Sequence, residues 1–323
     1  MEECAVTLYL RFICIAAIAV VISSCDGQKP DPDFSPFVHH PAIAKGTVKI
    51  LFDQAHNNIH TMRGTYRPFV ELLEHDGYTI HPNDDPFSTQ SLQGYTLLVI
   101  SNPKGKERKY DPAFTEEECS AVEEWVRSGG NLLLIADHYP IGSAAEILGK
   151  RFGISMSKGF TNDSVYFDSA SFTEDQVNGK SQLVFSRATG LLLDHPITRG
   201  RDSSERINRI ITFTGQSLSG PEGSSGFLKL SSTAADVIPD SIWEVPDMIF
   251  FTNTFTRFAD PVSAAGRYQG ISLEFGNGRV VVMGEAAMLT AQVAGEEKFG
   301  MQLPGIDNKQ LALNIVHWLS HRL

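Results

Sequence analysis

The chain has 323 residues, 42% of them hydrophobic and 20% charged, and a formal charge of −11. That length and apolar content suit one large elaborated domain with its own core. The acidic balance disfavours nucleic acid and anionic lipid headgroups as partners. Residues 1–24 add only Glu2, Glu3 and Arg11 to the charge, so the remainder still carries −10.

Residues 13–22 are an apolar run of signal-peptide length, too short for a mature transmembrane helix. The run closes on Ile22-Ser23-Ser24-Cys25. An aliphatic residue and two small residues before a cysteine resemble a bacterial lipobox. The expectation is a signal peptide over 1–24, a lipid on Cys25 and attachment to a membrane in the cell envelope through acyl chains. Residues 25–45 are rich in Pro, Asp and His without periodicity and read as a lipidated tether, with His39-His40 solvated. A single domain over 46–323 follows. Its one cysteine, Cys119, cannot form an internal disulfide, so the fold must rest on its core.

Within that domain, 47–52 reads as a strand ending at Asp53, and 62–75 as a helix stopped by Gly77. Strands are expected at 78–81 and 95–100. Thr115 with Glu118 forms a capping box for a helix whose stripe is Cys119, Val122, Trp125 and Val126. Residues 132–136 form a buried strand opening onto Asp137-His138-Tyr139-Pro140, and 142–151 a helix. An insertion is expected near 154–182. Short strands at 183–185, 209–214 and 227–230 follow, with little pattern over 231–266. A C-terminal hairpin pairs 270–275 with 279–283, where Asn277-Gly278 favours positive φ. The strand then leads into Gly284-Glu285-Ala286-Ala287 and a helix start, and 307–321 is the last helix. Strands alternating with helices at this spacing give a three-layer α/β/α domain, a doubly wound and mostly parallel sheet with an antiparallel C-terminal hairpin.

Ligands and chemistry gather beyond the carboxyl ends of such strands. The candidates there are Asp53 with His56, Asn102, Asp137 with His138, Gln216 and Glu285, with Tyr139, Phe160 and Tyr166 as stacking platforms for a sugar. Asp137, His138 and His56 are the catalytic candidates; Asp53, Asn102, Tyr139, Gln216 and Glu285 are the ligand-binding ones. A histidine oriented by a carboxylate can act as a general base. Two carboxylates and two histidines could also take a divalent metal, although nothing in the sequence requires a cofactor. His56 and His60 are four apart, but Asn57 stands where a zincin needs Glu. There is no Gly-x-Ser-x-Gly elbow, Walker A loop or dinucleotide fingerprint. Cys119 lies on a helix stripe and reads as core, Asp194-His195-Pro196 as a turn, and Glu285 equally well as a helix cap.

The segments 51–56, 131–142, 284–292 and 307–319 together resemble an uncharacterised bacterial domain family related to the class I glutamine amidotransferase-like fold. That group also takes in trehalose-utilisation-like proteins and the N-terminal domain of an intraflagellar transport subunit. The resemblance covers about 48–323 and implies an α/β/α domain. It implies no glutaminase activity, because the elbow-like positions hold Asp137-His138 and Gly284-Glu285 instead of cysteine. Two functions remain open from the sequence. One is a lipid-anchored module binding a small polar ligand, plausibly carbohydrate, in the strand-end crevice; the other is a hydrolase with an Asp/His site, metal-assisted or not.

Overall fold

A computed structural model describes residues 27–105, 111–168, 182–246 and 252–323, with 241–246 and 252–257 as backbone only. The signal peptide, Cys25 and the centre of the expected insertion fall outside these residues.

The fold is mixed α/β around a nine-stranded sheet. Its strands are β1 (Lys49–Asp53), β2 (Thr79–Asn83), β3 (Leu97–Ser101), β4 (Asn131–Ile135), β5 (Ser155–Met156), β6 (Leu218–Ser219), β7 (Ser225–Lys229), β8 (Tyr268–Phe275) and β9 (Gly278–Met283). The spatial order is β2-β1-β3-β4-β9-β8-β6-β5, with β7 also on β8. The run from β2 to β9 is parallel throughout, and the strands beyond it are antiparallel. The principal helices are α1 (Arg67–His75), α2 (Glu116–Arg127), α3 (Ile141–Arg151) and α4 (Asn308–Leu319).

The central strands are apolar at consecutive positions because both faces are buried. Ile50, Phe52, Leu97, Val99, Leu133 and Ile135 share one apolar cluster with Phe69 and Leu72 of α1 and Leu311 and Ile315 of α4. The alternate residues Leu51, Leu98, Ile100, Leu132 and Leu134 share another with Cys119, Val122 and Val126 of α2 and Ala145 and Leu148 of α3. Each such side chain contributes about 1.5–3 kcal/mol on full burial.

Several expectations are corrected. The first helix begins at Arg67 instead of 62, because Pro68 is favoured only in a helix's first turn. No helix follows Glu285; Ala287–Leu289 is a single 3₁₀ turn leading into a strand, Ala291–Ala294. In the β8–β9 hairpin Phe275 faces Gly278, so the two-residue loop is Gly276-Asn277 and the positive φ, 62°, belongs to Gly276. The weakly patterned 231–266 stretch contains strands at Ala234–Val237, Pro239–Pro246, Thr252–Phe258 and Val262–Ser263.

The expected tether is also corrected from residue 28 onward. Gln28–Pro30 pairs antiparallel with Ala291–Ala294. Asp31 is buried and ion-paired with Lys298 at 2.9 Å. The Ala42 N–H donates to Asp76 Oδ1 at 2.8 Å, and Ile43 joins the core. Composition hid this docking because it uses backbone pairing and a few isolated side chains, which leave no periodic trace.

Candidate functional site

The ends of β1, β3, β4 and β9 lie side by side, which brings Asp53, Asn102, Asp137 and Glu285 to one edge of the sheet. There they separate into distinct buried clusters.

Asp53 ends β1 and is fully buried. The loop after it carries His56 back over the carboxylate, with Nδ1 2.8 and 3.0 Å from the two Asp53 oxygens. The other ring nitrogen, Nε2, is 2.8 Å from Glu118 Oε1. Glu118 is the capping-box residue of α2: its second oxygen accepts the Thr115 N–H at 2.9 Å and the Thr115 hydroxyl at 3.0 Å. One side chain therefore both caps a helix and clamps a histidine, and it faces β1 only because α2 packs against the sheet. Phe87 and Phe114, themselves 5.8 Å apart, both pack against the imidazole, each with its ring centroid 4.7 Å away. Burial lowers the His56 pKa, but the hydrogen bonds and charges of Asp53 and Glu118 outweigh it, and the net shift is upward. For Glu118, burial is outweighed by Thr115 and His56, and the net shift is downward. The arrangement is an imidazolium held between two carboxylates. Sequence reasoning found Asp53 and His56 but not Glu118, 62 positions away in sequence from His56. Its capping-box signature was visible; its second role was not.

Asn102 ends β3 with φ 46°, a conformation that Asn tolerates better than most residues. Its Oδ1 accepts the Asp137 N–H at 3.1 Å, fixing the chain beyond β4. Asp137 in turn accepts the His138 N–H at 2.7 Å. Glu285, beyond the neighbouring strand β9, accepts the N–H groups of Ala287 at 2.6 Å and Met288 at 2.8 Å. Burial pushes Asp137 up despite His138, Asn102 and the Ala286 amide. Burial and then the Asp137 charge hold Glu285 well above the usual carboxylate range. Burial thus raises both carboxyls, and the Asp137 charge raises Glu285 further, which favours the neutral form of Glu285. Tyr66 lies beside them and donates to the Ala286 carbonyl at 2.7 Å, with the buried Ser101 hydroxyl close to it. Neither Tyr66, immediately before α1, nor Ser101, the last residue of β3, stood among the sequence candidates.

Gln216 is fully buried and spends its amide on the chain. Nε2 donates to the carbonyls of Ala136 at 2.8 Å and Asp137 at 3.1 Å, and Oε1 accepts the Lys158 N–H at 2.9 Å. It holds Lys158 at φ 58°. Gly142 must lack a side chain because a Cβ there would sit 2.0 Å from Gln216 Nε2.

His138 and Tyr139 are half-buried. The His138 ring stacks on Phe160 at 4.6 Å, and Nδ1 lies 2.6 Å from the Tyr139 carbonyl. Nδ1 is then the donor, and Nε2 carries a lone pair with no partner among the described residues. An open cleft of about 700 Å³ begins at Tyr139 and runs along α3 past Ser143, Glu146 and Lys150 to Lys158 and Asp240. Lys150 and Lys158 meet one oxygen of Glu146, at 3.3 and 3.2 Å. Asp53, Asn102, Gln216 and Glu285 do not line this cleft. Of the three proposed sugar platforms only Tyr139 does; Phe160 is buried beneath His138.

A divalent metal does not fit Asp53 and His56 as they stand, since both imidazole nitrogens already face carboxylates. Among the described residues no group of three or more His, Cys, Asp or Glu is placed to hold a metal. His195 caps a helical turn through Nδ1 and meets Ser272 Oγ through Nε2 at 2.9 Å, a structural position. The Cys119 thiol is buried and pushed up to about 12.

No family model matches the chain, and no curated protein does. Solved structures do. The mmIFT52 N-terminal domain is similar with a TM-score of 0.57 at 16% identity, over 84% of this chain and 97% of that one. A ThuA-like protein from Bacteroides uniformis is similar with a TM-score of 0.41 at 13% identity, over 88% and 93%. A GMP synthase-type protein from Thermoplasma acidophilum is similar with a TM-score of 0.39 at 13% identity, over 85% and 95%. At 16% identity the likeness to the mmIFT52 N-terminal domain is one of fold alone.

Proposed function

We propose that this protein is a lipid-anchored module of the bacterial cell envelope that binds a small polar ligand, of carbohydrate type, in the cleft beside Tyr139, without glutaminase activity. The cleft itself carries the reading. Its volume suits a small ligand, and its walls combine an aromatic ring with convergent polar groups. Each lysine ammonium has three donors, so the pairing with Glu146 leaves hydrogen bonds to spare for hydroxyl groups. The positive φ of Lys158 at its edge is local strain of the kind that collects at ligand sites. Among the described residues no helix is long and apolar enough to cross a membrane, so in this reading attachment falls to Cys25. We also read the two apolar clusters, each with its own pair of helices, as a doubly wound three-layer α/β/α domain.

Calorimetric titration of residues 27–323 with a panel of neutral and acidic sugars tests the ligand. Saturable binding that Tyr139→Ala abolishes supports it; no binding across the panel, or binding that Tyr139→Ala leaves unchanged, sinks it. A hydrolase is the second reading, and one observation favours it: His138, with no partner for Nε2 among the described residues, directly follows the buried Asp137, whose carboxyl is pushed up by burial. Turnover of ester or glycoside substrates that is lost in His138→Ala would replace the binding reading with this one.

A further inference from the structure

We propose that the surface formed by residues 28–45 and the strand Ala291–Ala294 is the face this protein turns to the bilayer, held there at headgroup level. The inference rests on the lipid at Cys25 proposed above and adds an orientation to it. From Gln28 onward there is no slack. Gln28, Lys29 and Pro30 are in register with Ala294, Val293 and Gln292, and the Asp31 N–H donates to the Ala291 carbonyl at 3.0 Å. Lys309 Nζ holds the next loop through the carbonyls of Ser35 at 2.8 Å and Phe37 at 2.9 Å. Only Asp26 and Gly27 separate Cys25 from the docked strand.

Three Cα steps reach at most about 11 Å. A lipidated cysteine sits where the acyl chains enter the hydrocarbon, and the headgroup layer above it is about 5–8 Å deep. Gln28 can therefore rise only a few ångströms above the headgroups. A free tether of about 20 residues would instead allow an excursion of roughly 25 Å and any orientation. Phe37, one of three large hydrophobics more than half exposed among the described residues, lies on this same segment, where an aromatic ring can rest in the interface. The face is not basic: Lys29 and Lys298 stand with Asp33, Glu296 and Glu297. The short leash, and not charge, holds it down, so the contact should not depend on salt.

The test uses the full chain with its leader, expressed in a bacterium, carrying one of Lys29→Cys, Phe37→Cys or Asn277→Cys. Asn277 is the control because it sits at the hairpin tip, the other end of β9 from Glu285. Cys119 stays silent because it is buried. A bulky impermeant maleimide is applied to isolated membranes and to the same membranes in detergent. The expected result is several-fold slower labelling of positions 29 and 37 in membranes, no difference at 277, and loss of the difference when a Gly/Ser spacer is inserted after Asp26. Equal protection at 29 and 277 in membrane-bound protein overturns the orientation while leaving the anchor intact. Absence of acyl mass on Cys25, or unchanged membrane fractionation of Cys25→Ala, overturns the anchor reading and this surface with it.

Discussion

His56 between Asp53 and Glu118 is the most exposed to test of the buried arrangements, because its removal and its titration make separate predictions. His56→Ala leaves two carboxylates facing an emptied space. Breaking one partner out of a buried ionic group costs about 3–5 kcal/mol. Here the lower end applies. Asp53 keeps Asn58 Nδ2 at 3.0 Å, and Glu118 keeps the N–H groups of Phe87 at 3.1 Å and Thr115 at 2.9 Å. The expected loss is about 3 kcal/mol near neutral pH, read by urea denaturation of residues 27–323. The pH dependence has a definite sign. The folded His56 pKa is raised above 6.5, so the folded state binds the proton more tightly. Its stabilisation is complete below 6.5 and is lost as pH rises through the folded value. Glu118 is lowered from 4.5, so its contribution is present above 4.5 and is lost as pH falls through its folded value. The gap from wild type should therefore narrow as pH rises through the folded His56 value, and narrow again in acid, where the unpaired carboxylates of His56→Ala can take up a proton. A variant within about 1 kcal/mol of wild type, or a gap that stays constant with pH, refutes the clamp.

The remaining predictions concern the second cluster. Gly142→Ala forces Gln216 off two carbonyls and should cost about 1–3 kcal/mol, read as a lowered denaturation midpoint with unchanged slope; a neutral effect would mean the amide has room to move. Glu285 is raised well above 4.5, so it makes stability fall as pH rises from about 4.5 toward its folded value; Glu285→Gln should flatten that fall, and an unchanged slope in a denaturation series would show that Glu285 is ionised in the fold. Asn102→Ala loses the bond to the Asp137 amide and keeps φ at 46°, whereas Asn102→Gly loses only the bond; thermal melts should rank Ala below Gly by about 1 kcal/mol, and the reverse order would place the strain elsewhere.

The sequence was most informative where a local rule and the global fold agree. The apolar runs of β1, β3 and β4, the Thr115–Glu118 box and the stripe of α2 are all present as read. The adjacency of Asp53, Asn102 and Asp137 also follows from strand order. What local reasoning could not supply was the direction in which each side chain turns. A strand-end Asp looks the same whether it faces solvent or His56. Gln216 looks like a ligand residue until the carbonyls of Ala136 and Asp137 are found on its amide. Within 231–266, Ala234–Val237 and Val262–Ser263 escaped notice because they are short and pair across long sequence separations, whereas Pro239–Pro246 and Thr252–Phe258 pair with one another and lack a clear alternating apolar pattern.

These directions decide which chemistry remains open to the crevice. Asn58 Nδ2 reaches both Asp53 Oδ2 at 3.0 Å and the Ser101 carbonyl at 3.2 Å, so it stands between the two buried clusters. Asp53 and His56 therefore belong with α2, while Asp137 belongs with Glu285 and β9. Catalysis by the expected quartet would require His56 to leave one carboxylate, and two buried partners oppose that. His138 faces no such obstacle: its Nδ1 hydrogen bond to the Tyr139 carbonyl fixes the ring and leaves Nε2 without a partner among the described residues, although Tyr139 and not His138 itself lines the cleft. A polar ligand seated against Tyr139 in that cleft lies one residue along the chain from His138, whose Nε2 has a lone pair still to offer. Binding and hydrolysis thus part at one atom: loss of affinity in His138→Ala with no turnover by wild type places Nε2 as an acceptor for a ligand hydroxyl, whereas turnover lost in that variant makes it a base.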